Sequence, residues 1–284
     1  MQRYDVNIKY VNHKGAELPL SVAPFILDPA GLFNYEWSYS GVNYGNRGGK
    51  VEKFYKDIQE KSLTFYVTSS TKAEFNAHIK TFFEVVEIDV IANIPGRIML
   101  DTDEYLHAYV YGTSKQFSRT GLTTLISGIS VVLPTPFWTK DVKFSFSPES
   151  SSGGGGSDDG LDYPYDYPYD YSLGVDIQTI TNDSVSGSEF EMIVYGPVTN
   201  PEITIGPNTY TVNTVLYVNE YLMVNSRDKT IVRHKPNGEQ VNVFEFRSPS
   251  VFFVPIPPGE SVIESNAFFD LVMYQERSEP TWNL

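Results

Sequence analysis

The 284-residue sequence predicts a mainly β protein of two domains with a single helix in the first. Three observations carry that reading: residues of period two recur in both halves, one segment alone has helical period, and a Gly/Ser-rich tract separates the halves. In the first half, Leu63, Phe65 and Val67 alternate with Thr64, Tyr66 and Thr68, the pattern of a half-buried strand. Thr71 followed by Glu74 has the spacing of a capping box, and Phe75, Ile79, Phe82 and Val86 recur at four, three and four residues. That spacing puts one apolar stripe on a helix running from Thr71 to about Glu87 and ending before Pro95. Tyr105 to Tyr111 alternates again, with Leu106, Ala108 and Val110 facing one way and His107 and three tyrosines the other. Val142, Phe144 and Phe146 close the half as another strand, which makes residues 1–146 the first domain.

Residues 147–172 interrupt the pattern. Ser147 to Gly160 holds one proline and no other apolar side chain, a flexible linker by composition. It runs into Tyr163-Pro164-Tyr165-Asp166 and Tyr167-Pro168-Tyr169-Asp170, closed by Tyr171. Each proline disfavours helical backbone in the tyrosine before it, so the repeat is expected to be extended. Five tyrosines carry much apolar area for a solvated tether. The repeat reads either as a stiff spacer or as an arm laid against a domain or a neighbouring subunit, and in the second case Tyr163, Tyr165, Tyr167, Tyr169 and Tyr171 are candidate interaction residues.

Residues 173–284 read as the second domain, almost wholly β. Ile203/Ile205, Tyr210/Val212, Val215/Tyr217, Leu222/Val224, Ile231/Arg233, Val241/Val243 and Val251/Phe253 head short runs, and Asn237-Gly238 is a strong hairpin signal. Seven or more short strands at this spacing imply a β-sandwich.

Charge narrows the function. Residues 1–146 carry 15 basic and 15 acidic side chains, residues 147–172 none and 6, and residues 173–284 carry 6 and 14. A base-poor half lacks the Lys/Arg surface that supplies most affinity for nucleic acid, so specific DNA or RNA binding is not expected. The same field is compatible with letting DNA pass without sticking. With no cysteine, a disulfide framework, a thiolate metal centre and a cysteine nucleophile are excluded. The longest apolar runs, such as Val251 to Ile256, fall far short of a bilayer span, and Met1 to Tyr10 has no signal-peptide character, so no membrane insertion is expected.

No residue set points to catalysis, a metal or a cofactor. His13, His78, His107 and His234 are isolated and read as structural or surface histidines. Asp101-Thr102-Asp103-Glu104 lacks the rest of a calcium loop and reads as a solvated turn. Gly45 to Lys50 lacks P-loop spacing and reads as a mobile loop, and Asn182-Asp183-Ser184 reads as a chance glycosylation sequon. The 20 Tyr, 18 Phe and 3 Trp exceed what a core needs, which favours protein contact over sugar stacking, because no Trp falls within the strands of the second domain.

Specific runs then resemble a known family: Gly196 to Gly206, Tyr210 to Asn213, Leu222 to Ile231, Asn237-Gly238, Pro257 to Ser261 and Tyr274 to Arg277. In order and spacing they resemble the C-terminal domain of the distal tail proteins of long-tailed (siphovirus-type) bacteriophages. The Tyr-Pro-Tyr-Asp repeat is similar to the segment joining the two domains in relatives from phages of Gram-positive hosts. The first half resembles the family through its length, its strands and its one helix. The resemblance implies a tail-tube-like β-sandwich ring domain followed by a galectin-like β-sandwich at the periphery. It implies a structural protein of the virion, made in the host cytoplasm, whose six copies form a ring around the DNA channel at the distal end of the tail. The partners it implies are other copies of the chain, the tail-tube protein above and the tail-tip lysin or spike hub protein below. Receptor-binding proteins attach in relatives with an inserted arm, and no long insertion lies between Leu173 and Leu284. The sugar-binding pattern of galectins, with its His, Asn, Arg and Trp, has no match in residues 173–284.

Three readings compete with a tail hub. One is a carbohydrate-binding adhesin module that recognises host cell-wall sugars, another a virion glycosidase or peptidase, for which no carboxylate pair or metal motif stands out. The third is the tail-tube protein itself, which the outer sandwich argues against.

Overall fold

The computed structural model describes residues 6–117, 124–148, 178–248 and 251–281. The chain is mainly β and separates into two compact units, residues 1–140 with 276–284 and residues 141–275. No helix among the described residues is long and apolar enough to cross a membrane.

The first unit is an antiparallel sheet and one helix. Across the sheet the strands run Glu17–Pro19, Ile8–Val11, Gly96–Leu100, Tyr105–Phe117, Thr124–Leu133, Gln59–Thr68, Phe25–Leu27 and Ser21–Val22. The Tyr105–Phe117 strand is long enough to pair with Gly96–Leu100 through its first residues and with Thr124–Leu133 through the remainder. Alternation works as read: Leu63, Phe65 and Val67 are buried, as are Leu106, Ala108 and Val110.

The helix is Lys72–Ala92. Thr71 accepts from the Glu74 amide at 3.2 Å, and the Glu74 carboxylate accepts from the Thr71 amide at 3.1 Å, so both halves of the capping box form. Phe82 and Val86 are buried, while Phe75 and Ile79 pack against the same core from its margin. Phe82 lies 4.7 Å, centroid to centroid, from Phe65, which itself stacks on Phe25 at 5.8 Å. Each such ring removed from water contributes about 2–3 kcal/mol. The helix runs five residues past Glu87 because no breaker follows it there. It stops at Asn93, whose left-handed φ of 54° returns its amide to the carbonyls of Asp89 and Val90.

The second unit is a β-sandwich. One sheet orders Gln178–Asn182, Gly259–Ser265, Glu202–Ile205, Asn208–Val212 and Arg247–Ser248. The other orders Gln240–Asn242, Thr230–His234, Tyr221–Asn225, Glu189–Tyr195, Phe269–Arg277 and the end of Trp138–Phe146. Between them Ile203, Ile205 and Tyr210 meet Phe190, Met192, Leu222, Val224 and Met273. Asn237-Gly238 makes the expected hairpin: Gly238, at φ 84°, donates its amide to the Lys235 carbonyl at 3.0 Å.

Several expectations are revised. Val142, Phe144 and Phe146 pack against the second core, so that strand belongs to the second unit, and the division falls after Lys140 where the sequence suggested residue 146. Residues 276–284 group with the first unit. There Glu104 is 3 % exposed, and its carboxylate accepts from the Thr281 amide at 2.8 Å and the Thr281 hydroxyl at 2.9 Å, so the acidic turn is not wholly solvated. Val215 and Tyr217 face solvent with Leu216 buried between them, and Val251 is exposed beside buried Phe252 in a segment that is not a strand. In both places the inward position is one residue away from the expected one. Asn182 is 2 % exposed and its amide donates to the Ile256 and Pro257 carbonyls, which leaves no room for a glycan.

Candidate self-association surface

Gly45 to Lys50, expected as a mobile loop, is the tip and returning edge of a hairpin. Ser38–Asn43 pairs with Gly49–Tyr55 through a turn at Gly45–Arg47. Among the described residues these two strands pair only with each other. The register shifts between Ser40 and Gly41, leaving Glu52 as an extra residue, a bulge that adds twist. Gly41 has no substitute there, since a Cβ would stand 2.6 Å from the Lys50 carbonyl oxygen.

Register puts Tyr39, Phe54 and Val51 on one face and Lys50 and Lys53 on the other. Tyr39 is 65 % and Phe54 60 % exposed, with their rings 6.2 Å apart. Tyr44 at the tip and Ile58 beyond the base are equally bare. A lone two-stranded hairpin is marginally stable in water, and one displaying an apolar face is stabilised by whatever covers it.

Its base, by contrast, is fixed. The Lys56 ammonium donates to the Pro136 carbonyl at 2.9 Å and lies 4.1 Å from the Phe137 centroid, 5.1 Å from Trp37 and 5.2 Å from Tyr35. Burial, and then the charge of Lys61, push Lys56 down to about 8, against an opposing pull from Glu276. The Lys61 ammonium donates to the carbonyls of Gly31 and Asn34, and burial lowers it too. Two cations and three rings thus hold the root of an otherwise unsupported arm.

A second apolar patch lies at the end of the helix, where Val90, Ile91 and Ile94 are 43 %, 83 % and 48 % exposed. Directly beneath it the helix is pinned. Asp89, fully buried, accepts from the Tyr10 hydroxyl at 2.5 Å and the His13 amide at 2.9 Å, and its Oδ1 lies 2.5 Å from His13 Nδ1. Burial, with the adjacent carboxylate, drives the Tyr10 hydroxyl far above the ordinary tyrosine range. Nothing in the sequence spacing of Tyr10, His13 and Asp89 signals this cluster, because the sheet and helix assemble it from distant positions.

The four histidines do not converge. His13 meets Asp89, His78 lies edge-on to Phe25, His107 edge-on to Tyr105, and His234 stacks on Tyr221 at 4.5 Å. The candidate interaction residues Tyr163, Tyr165, Tyr167, Tyr169 and Tyr171 lie outside the described residues.

No protein-family model matches the chain, and no curated protein does. Solved structures do match in fold. The crystal structure of the SPP1 Dit (gp 19.1) protein, described as a paradigm of the hub adsorption apparatus in phages infecting Gram-positive hosts, aligns with a TM-score of 0.64. It covers 96% of this chain and 99% of that one at 9% identity. A chain of the phage P2 baseplate in its activated conformation aligns at a TM-score of 0.60 and 14% identity, over 97% of this chain and 99% of that one, in both the calcium and the strontium structures.

Proposed function

We propose that this chain is a structural protein of a phage tail tip, a distal hub whose copies form a hexameric ring joining the tail tube to the baseplate proteins around the DNA channel. The observation that carries it is the bare Ser38–Tyr55 hairpin on a rigid base, in a fold matched end to end by phage hub and baseplate chains. A ring with rotational symmetry joins two different patches of each copy head to tail. Here the hairpin face around Tyr39 and Phe54 and the helix-end patch around Ile91 are two such patches. Burying several side chains of this size at every junction provides the driving force for closure.

On this reading the first unit supplies the hub, the second unit the peripheral lobe, and the Tyr163–Tyr171 arm packs on a domain or on a neighbouring copy. DNA passes without specific binding, and since residues 1–146 are net neutral, an acidic channel lining requires segregation of their charges. The partners are other copies of the chain, the tail-tube protein and the tail-tip lysin or spike protein; the absence of a long insertion between Leu173 and Leu284 speaks against attachment of a receptor-binding protein there. No catalytic step is assigned to the chain.

The test is the native mass of the purified chain with negative-stain images, alone and mixed with the tail-tube and tail-tip proteins. Six chains of 32.0 kDa give about 192 kDa and an open ring with outer lobes. A chain that stays monomeric in every mixture refutes the hub.

A further inference from the structure

At one end of the second unit a row of bare side chains begins where the described chain breaks off at Pro148. Val194 stands opposite Phe269 and Tyr195 opposite Tyr221, so Phe268, Tyr195 and the Tyr217–Glu220 turn lie at the same end of three neighbouring strands. There Tyr195, Tyr217, Val218 and Phe268 are between 40 and 65 % exposed. The Arg233 guanidinium lies 5.6 Å from the Tyr217 centroid, and Tyr217 remains 63 % exposed beside it. The strand ending at Phe146 is next in the sheet. Phe146 stacks on Phe269 at 4.9 Å and the Ser145 hydroxyl donates to Asp270 at 2.6 Å, which brings the chain's exit to the Phe268 end of the row. Gln178, where the described chain resumes, donates its side-chain amide to the Ser147 carbonyl at 3.3 Å. Residues 149–177 therefore leave from and return to one place on the second unit, at the end of this row.

We infer that this row is the seat of the chain's own Tyr163–Tyr171 segment, docked by the same copy from which it emerges. Reach permits it. Neighbouring strands lie about 4.8 Å apart, so the row extends about 14 Å from the strand that ends at Phe146. Tyr171 precedes Gln178 by seven positions, a span of up to about 24 Å, and Tyr163 is fifteen positions from both Pro148 and Gln178. Every tyrosine of the repeat can therefore meet the row. Tyrosine also suits it, since the ring covers Phe268 and Val218 while the hydroxyl stays wet. Pro164 and Pro168 keep Tyr163 and Tyr167 out of helical backbone before contact, which lowers the ordering entropy lost on docking. Attachment at both ends holds the segment at an effective concentration in the millimolar range, so a small patch suffices for it where a separate protein would need a wider one. Charge does not drive the contact. Residues 149–177 carry seven acids and no base, and the acids of the row are already held, Asp270 by Ser145 and Tyr195 and Glu220 by Arg233. The seat belongs to the second unit alone and holds whether or not the first unit forms a ring.

The experiment places the photocrosslinker p-benzoylphenylalanine at position 268 of the full chain, mixes isotopically heavy and light copies, and maps the products by mass spectrometry. A link from position 268 to residues 161–177 is expected, heavy to heavy and light to light. Replacing Tyr163, Tyr165, Tyr167, Tyr169 and Tyr171 by serine leaves the row intact and should abolish the link. Chymotrypsin gives a second reading: cleavage after Tyr165 and Tyr169 should be about tenfold faster in Tyr217→Ser with Phe268→Ser than in the parent, because cleavage follows the undocked fraction. Both replaced side chains are mostly in solvent, so the double variant should unfold at the parent's temperature, and Val185→Ser, exposed at the other end of the Glu189–Tyr195 strand, should be cut at the parent's rate. No link to residues 149–177, or equal cleavage in the parent and the double variant, overturns the seat. Links between heavy and light copies overturn the same-copy assignment and give the row to a neighbour's segment. A native mass of one chain would refute the hub and leave all of these outcomes readable.

Discussion

The hydroxyl of Tyr10, in the first strand of the sheet, and the carboxylate of Asp89, in the last turn of the helix, meet at 2.5 Å inside the first unit. They stand 79 positions apart in the chain, and Asp89 is 0 % exposed. A buried charge costs several kcal/mol unless hydrogen bonds offset it, and here three donors from Tyr10 and His13 converge on it.

Removing that convergence should therefore unfold the first unit preferentially. Asp89→Ala leaves the Tyr10 hydroxyl and the His13 amide without their acceptor and is expected to cost about 3 kcal/mol. Gly96→Ala attacks the same contact sterically, because a Cβ would lie 2.3 Å from the Tyr10 hydroxyl and 2.4 Å from Asp89 Oδ2, at a cost of about 2–4 kcal/mol. Tryptophan fluorescence during urea unfolding checks both, since Trp37, Trp138 and Trp282 all lie outside residues 141–275. A midpoint unchanged in both variants would show that the contact contributes nothing.

Thr71→Ala should destabilise the helix by about 1 kcal/mol, the usual worth of an N-cap hydroxyl. Thr71→Ser keeps the acceptor oxygen and should recover most of the loss in the same urea measurement.

Tyr39→Ser combined with Phe54→Ser should leave the unfolding midpoint within the equivalent of about 0.5 kcal/mol, because both side chains are mostly in solvent. The native mass should respond instead, falling from about 192 kDa toward the 32.0 kDa of one chain. An assembly that survives the pair assigns the ring contacts to another surface.

Lys56 makes stability depend on pH in a definite direction. Its folded value of about 8 lies below the ~10.4 of an unfolded lysine, so between those limits the unfolded chain holds a proton that the folded chain has released. Stability must rise with pH across that window. The difference in unfolding free energy between the parent and Lys56→Met should accordingly grow in the parent's favour from pH 8 to 10, as followed by tryptophan fluorescence. A flat or falling difference would mean that the three rings around the ammonium compensate its burial in full.

Where a local pattern carried the information, the sequence sufficed. Period two located Leu63–Val67 and Leu106–Val110, the Thr71/Glu74 spacing started the helix, and Asn237-Gly238 turned a hairpin, because side-chain direction, cap geometry and positive φ are properties of a few consecutive residues. Mainly β architecture follows from summing such patterns. Tertiary structure decided the rest. Gly45 to Lys50 reads as a loop until the pairing of Ser38–Asn43 with Gly49–Tyr55 shows a bare hairpin. Val142–Phe146 alternates like any half-buried strand, and alternation says that one face is covered without saying by which core. Tyr10, His13 and Asp89 carry no mutual spacing that signals their meeting. Those groupings arise where strand register and helix packing bring remote residues within hydrogen-bond or van der Waals reach, and that proximity is a property of the folded chain, which no window of sequence contains.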